Sequence, residues 1–234
     1  IENLAYFGGI HGLEGEGLGK RSEELLALVG LTGRAGDLVR RYSAGMKRRL
    51  NLAIGLVNDP KIVLLDEPTV GIDPQSRACI FDAVRDLRRR GAAILLTTHI
   101  IEEAARLCDS VAIMDGGRIL LEGAPADLVA RYGLGRMVFR AADPVPPDVL
   151  RVIAGMDGVV GVDRTDGRLT VLCTFGERTS VEMIGDILEA AGEKSPDLSL
   201  TSFQEPSLES LFLDLTGRSL RDGAAGSGGG GTAP

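Results

Sequence analysis

The chain has no Trp, and aromatic residues make up only 4% of its 234 residues. Hydrophobic residues at 44% and charged residues at 25% are ordinary for a soluble globular protein. That length and content allow one full core plus a smaller second unit. Long apolar runs are missing as well. A membrane helix needs roughly 20 apolar residues, and the longest candidate, Ala92 to Leu96, is strand-sized. No signal-peptide pattern is present. Cysteine is scarce: Cys79, Cys108 and Cys173 are scattered, and no two have metal-ligand spacing. They read as reduced core thiols of a cytosolic protein. Positive charge is in deficit, with a formal net charge of -7. An acidic chain is a poor candidate for non-specific nucleic-acid binding, and no nucleic-acid partner is expected. An initiator Met is lacking too. The chain opens on Ile1 in what reads as mid-domain sequence, so an incomplete N-terminus is expected.

The apolar pattern alternates between helix and strand. Leu25, Leu26, Leu28 and Val29 give one helix an inner face before Gly30. A second helix starts at Ser43, with Met46, Leu50, Ala53, Ile54 and Val57 at helical spacing. Lys47, Arg48 and Arg49 fill its first turns, and Asn58-Asp59-Pro60 stops it. A buried strand is expected at Ile62 to Leu65. Asp73-Pro74 reads as a helix start, with Asp73 as N-cap and Pro74 at the first helical position. Ile80, Phe81, Val84 and Leu87 form that helix's inner face. A second strand lies at Ala92 to Thr98, followed by a helix from Ile101 to Leu107. Strand, helix, strand in this order implies a parallel sheet. A hairpin around Asp115-Gly116-Gly117 and a short helix from Pro125 to Tyr132 complete this part.

A new unit is expected from Leu134. It reads strand (Met137 to Arg140), helix (Asp148 to Ala154), then hairpin strands Val159 to Asp163 and Leu169 to Phe175 around Asp166-Gly167. Thr179 and Glu182 form a capping box for a helix whose inner face is Ile184, Ile187, Leu188 and Ala191. A strand (Leu198 to Phe203) and a helix (Leu208 to Leu215) follow. The pattern is that of a ferredoxin-like α+β domain. The expected division is 1–133, 134–217 and a disordered Gly-rich tail at 218–234.

Four clusters carry chemistry. Ser43-Ala44-Gly45 opens an amphipathic helix, where free backbone N–H groups and the helix dipole favour an anion. Taken alone it is a plain N-cap. Asp66 and Glu67 come at the C-terminal end of a strand, where ligands bind in open parallel sheets. Strand alternation is expected to put their side chains on opposite faces. Asp66 suits Mg²⁺ through water, because hard cations prefer oxygen ligands. Glu67 suits a water that it orients or deprotonates. Taken alone, two acids are an ordinary strand ending. His99 follows Ile94 to Thr98 at another strand end, where an imidazole can hydrogen-bond a phosphate and a water.

Together these pieces resemble the nucleotide-binding subunit of an ABC transporter. Tyr42-Ser43-Ala44-Gly45-Met46 is similar to the family signature, with Ala44 and Met46 replacing its first glycine and its glutamine. Met followed by Lys47-Arg48-Arg49 is typical of the branch of drug-resistance, sodium-efflux and nodulation-type exporters. Ile62 to Asp66 resembles Walker B, Glu67 aligns with the catalytic glutamate and His99 with the switch histidine. Val70-Gly71-Ile72-Asp73 resembles the D-loop, with Val70 where serine is more usual. The likeness runs from Asn3 to about Tyr132, and the unit from Leu134 to Gly217 resembles the C-terminal domain this branch often carries. It implies a partial P-loop NTPase fold with a helical subdomain, and ATP and Mg²⁺ as cofactors. It implies that Ser43, Ala44, Gly45, Met46 and Asp73 touch nucleotide, that Asp66 holds the metal, and that Glu67 and His99 are catalytic. It also implies two copies facing head to tail, and a separate membrane permease on whose cytoplasmic side the protein sits.

No G-x-x-x-x-G-K-[ST] motif occurs in the chain. Gly15 to Lys20 is a decoy: Glu14 stands where Gly is needed, Arg21 where Ser or Thr is needed, and a flexible loop is expected. The lobe that supplies most of the grip on the β- and γ-phosphates is therefore missing from this sequence. The chain alone is expected to hold ATP weakly and to leave an apolar edge on its Walker B strand. Two rival readings are a non-transport ABC ATPase and a non-catalytic remnant acting as a regulatory module. Proteins of the first kind carry long coiled coils or a second full motif set, and neither appears in this sequence.

Overall fold

The computed structural model describes residues 1–165, 167–176 and 178–225, with side chains described to residue 217. The chain divides into two compact units, Ile1–Cys108 and Asp109–Pro234.

The first unit begins with helices α1 (Glu2–Ile10), α2 (Gly15–Leu28) and α3 (Ala44–Gly55). Leu4, Leu25, Leu26, Val29, Leu50, Leu56 and Val57 are buried together where these helices meet. The Gly15 to Lys20 segment is helical rather than a loop, which corrects the expectation from its glycines. Gly15, Gly17 and Gly19 lie on the exposed side, while Leu18 packs so closely on Gly8 that a side chain there would clash. Arg21 donates to the carbonyl of Leu56 at 2.7 Å. These tertiary contacts outweigh the roughly 0.5–1 kcal/mol that each helical glycine costs.

Strand β1 (Ile62–Asp66) leads through a turn to α4 (Pro74–Arg89), strand β2 (Ala93–Thr97) and α5 (Ile101–Leu107). The two strands are parallel, with Ile62 opposite Ala93 and Asp66 opposite Thr97. Val63, Leu65, Ile94 and Leu96 pack against cores containing Ile80, Val84 and Leu87 of α4. The other face is open, with Ile62 at 68%, Leu64 at 72% and Leu95 at 63% exposure. The expected buried strand is thus buried on one side only, because helices cover one face of this two-stranded sheet. Each uncovered Leu or Ile forgoes about 1.5–3 kcal/mol of burial.

In the second unit, β3 (Val111–Asp115) and β4 (Arg118–Gly123) form an antiparallel hairpin. Its turn places Gly116 and Gly117 at φ +53° and +76°, where only glycine is comfortable. Helix α6 (Pro125–Tyr132) follows. Next come β5 (Gly135–Arg140), α7 (Pro147–Ala154), β6 (Val159–Thr165), β7 (Arg168–Cys173), α8 (Ser180–Ala191), β8 (Ser199–Gln204) and α9 (Leu208–Ala225). The four strands form one antiparallel sheet in the order β6-β7-β5-β8. Its core joins Met137, Phe139, Val171, Ile153 and Ile187.

Packing divides the chain earlier than the boundary read from the sequence, since α6 packs on β4 and α9 within the second unit. Asp166 of the expected turn lies outside the described residues, as does 226–234 of the expected tail. Residues 218–225 of that stretch are part of α9. Thr179 and Glu182 do form a reciprocal capping box on α8. Its inner face is Met183, Ile187 and Ala191, while Leu188 is 37% exposed. Of the three thiols only Cys173 is fully buried, and burial pushes its pKa up to about 11.

Candidate functional site

The candidate site lies in the first unit, at the C-terminal ends of β1 and β2. Asp66 is the last residue of β1, and its Oδ1 accepts a hydrogen bond from the Thr97 hydroxyl across the strand pair. Glu67 has left the strand, with φ at +44°. A left-handed backbone is costly for a non-glycine residue, and such strain gathers at functional sites. The alternation rule therefore stops at Asp66 and does not set the direction of Glu67. The Glu67 N–H ties the turn to β2, donating to the Thr97 carbonyl at 3.1 Å and lying 3.3 Å from its hydroxyl.

The Glu67 carboxylate meets His99, whose Nδ1 lies 3.0 Å from Oε1 and 3.1 Å from Oε2. His99 is exposed, and Glu67 is 36% exposed at its side chain. With Nδ1–H donating to the carboxylate, Nε2 accepts in the neutral imidazole and donates in the imidazolium. An acid and an imidazole are thus presented side by side to solvent.

The second cluster is built from two helix starts. Ser43 caps α3, its Oγ accepting from the Met46 N–H at 3.1 Å. Asp73 caps α4, accepting from the Ser76 N–H at 2.9 Å. That backbone bond, then the Ser76 hydroxyl, holds the Asp73 carboxyl below the usual carboxylate range. Gly45 is buried between the two starts. A Cβ there would sit 2.6 Å from Asp73 Oδ2 and 2.7 Å from Ser76 Cβ. Ala44, by contrast, is exposed. Its methyl group therefore costs nothing, while one at position 45 has no room.

Sequence reasoning missed two connectors. Arg48 on α3 donates to three successive carbonyls, those of Asp66 (2.7 Å), Glu67 (2.5 Å) and Pro68 (3.0 Å). The local pattern marks it only as a first-turn cation. Glu103 on α5 is 3% exposed and accepts from the fully buried Thr69 hydroxyl at 2.6 Å. Arg77 Nε on α4 stands 3.4 Å from its other oxygen. An acid four residues after His99 was the sole hint.

Among curated proteins the chain is 37% identical over 223 residues to the linearmycin resistance ATP-binding protein of Bacillus subtilis, covering 94% of this chain and 70% of that one. It belongs to the family of ABC transporter ATP-binding proteins. It is also 37% identical over 222 residues to the daunorubicin resistance ATP-binding protein of Streptomyces coeruleorubidus, covering 94% of this chain and 68% of that one. With the Nod factor export ATP-binding protein I of Cupriavidus pinatubonensis it shares 38% identity over 231 residues, 95% of this chain and 64% of that one. A family model described as "AAA domain, putative AbiEii toxin, Type IV TA system" matches residues 26–105. A solved ATP binding subunit of an ABC transporter overlaps 56% of this chain and 54% of its own, with 30% identity and a TM-score of 0.49. The chain spans about two thirds of the length of these curated relatives. ABC ATP-binding proteins are ATPases, so the acid–imidazole pair stands in an ATPase domain. Among the described residues, no helix is long and apolar enough to cross a membrane.

Proposed function

We propose that this chain carries the water-activating half of the ATP site of an ABC exporter, and that the Glu67–His99 pair is its centre. The observation that supports this is the carboxylate of Glu67 held 3.0 Å from His99 Nδ1 at the mouth of a parallel strand pair. Glu67 orients and deprotonates the attacking water, and His99 holds Glu67 in place while its Nε2 faces the γ-phosphate. The amides of Ser43, Ala44 and Gly45 at the start of α3 face phosphate oxygens, where the helix dipole favours negative charge, and Met46, whose amide bonds the Ser43 cap, completes the nucleotide-facing stretch. Asp73, the cap of α4 beside Gly45, also faces nucleotide. Bound Mg-ATP supplies the phosphoryl group and neutralises its developing charge.

Asp66 fits Mg²⁺ as a single hard oxygen donor acting through water, with the Thr97 hydroxyl orienting its carboxylate. No trio of His, Cys, Asp or Glu among the described residues is arranged to hold a metal alone. That suits an ion held chiefly by phosphates and waters. The phosphate-gripping loop comes from a lobe outside this sequence, which also covers the open face of Ile62, Leu64 and Leu95. In the protein completed with that lobe, two copies face head to tail, Ser43 and Gly45 of one closing on ATP held by the phosphate-gripping loop of the other, and a separate permease chain on the membrane takes the work of closure. Residues 1–133 form the ATPase part. Residues 134–217 form a ferredoxin-like accessory domain, a reading supported by its β-α-β-β-α-β order and its sheet order.

Two measurements test this. In the protein completed with a Walker A lobe, Glu67→Gln is expected to cut turnover at least 100-fold while retaining ATP, since a positioned base contributes roughly 10²–10⁴-fold. Unchanged turnover removes Glu67 from the role. For the 234-residue chain alone, calorimetry is expected to show no magnesium-dependent micromolar ATP binding, and such binding would refute the division of labour.

A further inference from the structure

The carbonyls of Asp66, Glu67 and Pro68 end β1 in a turn that turns back on itself, with Glu67 in the left-handed region. Acceptors in such a turn need donors, and Pro68 supplies none. The Val70 N–H reaches the Glu67 carbonyl at 3.4 Å, and one side chain 18 residues before Asp66 reaches all three carbonyls: Arg48, with Nε and one terminal nitrogen. A guanidinium can do this because its N–H groups are fixed in one plane, whereas an ammonium is a compact point on a flexible stem. Arg48 lies one helical turn from Gly45 on α3, so a single rigid helix carries both the Ser43–Gly45 start and the clamp on the Glu67 turn.

We infer that Arg48 is a positioning residue for the reaction, holding Glu67 in its left-handed conformation and tying it to the start of α3 in the same chain. The clamp is a geometric claim about the 66–68 turn, and its catalytic meaning rests on the reading of Glu67 as the base. When α3 moves, the carboxylate moves with it. A water-activating acid that follows the anion-facing helix is correctly aimed only when that helix is seated.

The test uses the whole 234-residue chain, compared as wild type, Arg48→Lys and Arg48→Met. The Glu67 amide, bonded to Thr97, is followed by hydrogen exchange, and the carbonyl ¹³C shifts of residues 66–68 are followed by NMR. Both substitutions are expected to speed Glu67 amide exchange at least tenfold and to move all three carbonyl shifts, while amides in the middle of α4 exchange as before. Arg48→Lys keeps charge and stem, so it carries the test if Arg48→Met unfolds the unit. Equal Glu67 protection in wild type and Arg48→Lys, or shifts that spread evenly over the whole unit, overturns the inference. In the ATP-hydrolysing protein, Arg48→Lys is expected to lower kcat at least fivefold with KM for ATP within twofold. A KM effect alone overturns the positioning role. If Glu67→Gln turns over normally while the exchange result stands, the base assignment fails and the clamp does not.

Discussion

Replacing Gly45 by Ala adds one methyl group at the tightest point of the site. Its Cβ meets Asp73 Oδ2 at 2.6 Å and Ser76 Cβ at 2.7 Å. Unstrained non-bonded carbon contacts lie at about 3.5–4.0 Å, so the starts of α3 and α4 must part by roughly 1 Å. Neither neighbour yields easily, because Asp73 is fixed by its bond to the Ser76 amide and Ser76 is 2% exposed. Overpacking of this kind costs about 1–3 kcal/mol. Alanine returns at most about 0.5–1 kcal/mol through its helix preference. The expected net loss is about 1–2 kcal/mol, a drop of roughly 5 °C or more in Tm for a unit of this size. With no Trp for optical detection, hydrogen-exchange mass spectrometry along a urea series reads the first unit apart from the second. Faster exchange in α3 and α4 is expected, partly recovered when Ser76→Gly is added, as coupled neighbours require. Gly45→Ala with unchanged or slower exchange refutes the wedge, and with it the packing explanation of this glycine.

Two further outcomes follow from the same unit. The depressed pKa of Asp73 makes its contribution to stability full above the unfolded carboxylate value of about 4. That contribution is lost as pH falls through the lower folded value. Asp73→Asn, which still caps α4, is expected to flatten this acid loss in urea midpoints taken from pH 6 downward, and parallel curves count against it. Glu103→Ala strands the buried Thr69 hydroxyl and unpairs Arg77, which at 40% exposure rehydrates in part. The expected cost is about 2–3 kcal/mol, against roughly half that for Glu103→Gln, which keeps an acceptor for Thr69. Equal losses in the two variants by urea unfolding contradict the hydrogen-bond account.

Local chemistry made much of this protein legible in one dimension. Ser43 and Asp73 cap their helices because a short oxygen-bearing side chain before a helical run has few better uses. The Thr179–Glu182 box and the Gly116-Gly117 turn are equally local. Ile62 to Leu65 and Ala92 to Thr98 read as strands from their apolar runs, and their carboxylate and imidazole endings pointed to ATP chemistry only through the resemblance of the whole motif set to the ABC family. What the sequence could not carry were contacts between residues far apart in the chain. Three glycines argued for a loop at Gly15 to Lys20, and tertiary contacts, the packing of Leu18 on Gly8 and the bond from Arg21 to Leu56, made it a helix. Leu188 kept the helical spacing of a core residue, yet α8 is rotated so that Met183 is buried instead. The open face of β1 and β2 depends on which helices lie across it, which periodicity does not state.

The sequence by itself determined which groups are available: an acid pair, an imidazole, two capped helix starts and no phosphate-gripping loop. Tertiary structure decided how they are used. It set Glu67 against His99 rather than apart from Asp66 by strand alternation, because the chain turns left-handed at that residue. It also distinguished Gly45 from Ala44, since one faces Asp73 and Ser76 and the other faces solvent. Arg48 and Glu103 gained their roles only there, because a guanidinium or a buried carboxylate acts through partners that folding, not spacing, brings within 3 Å.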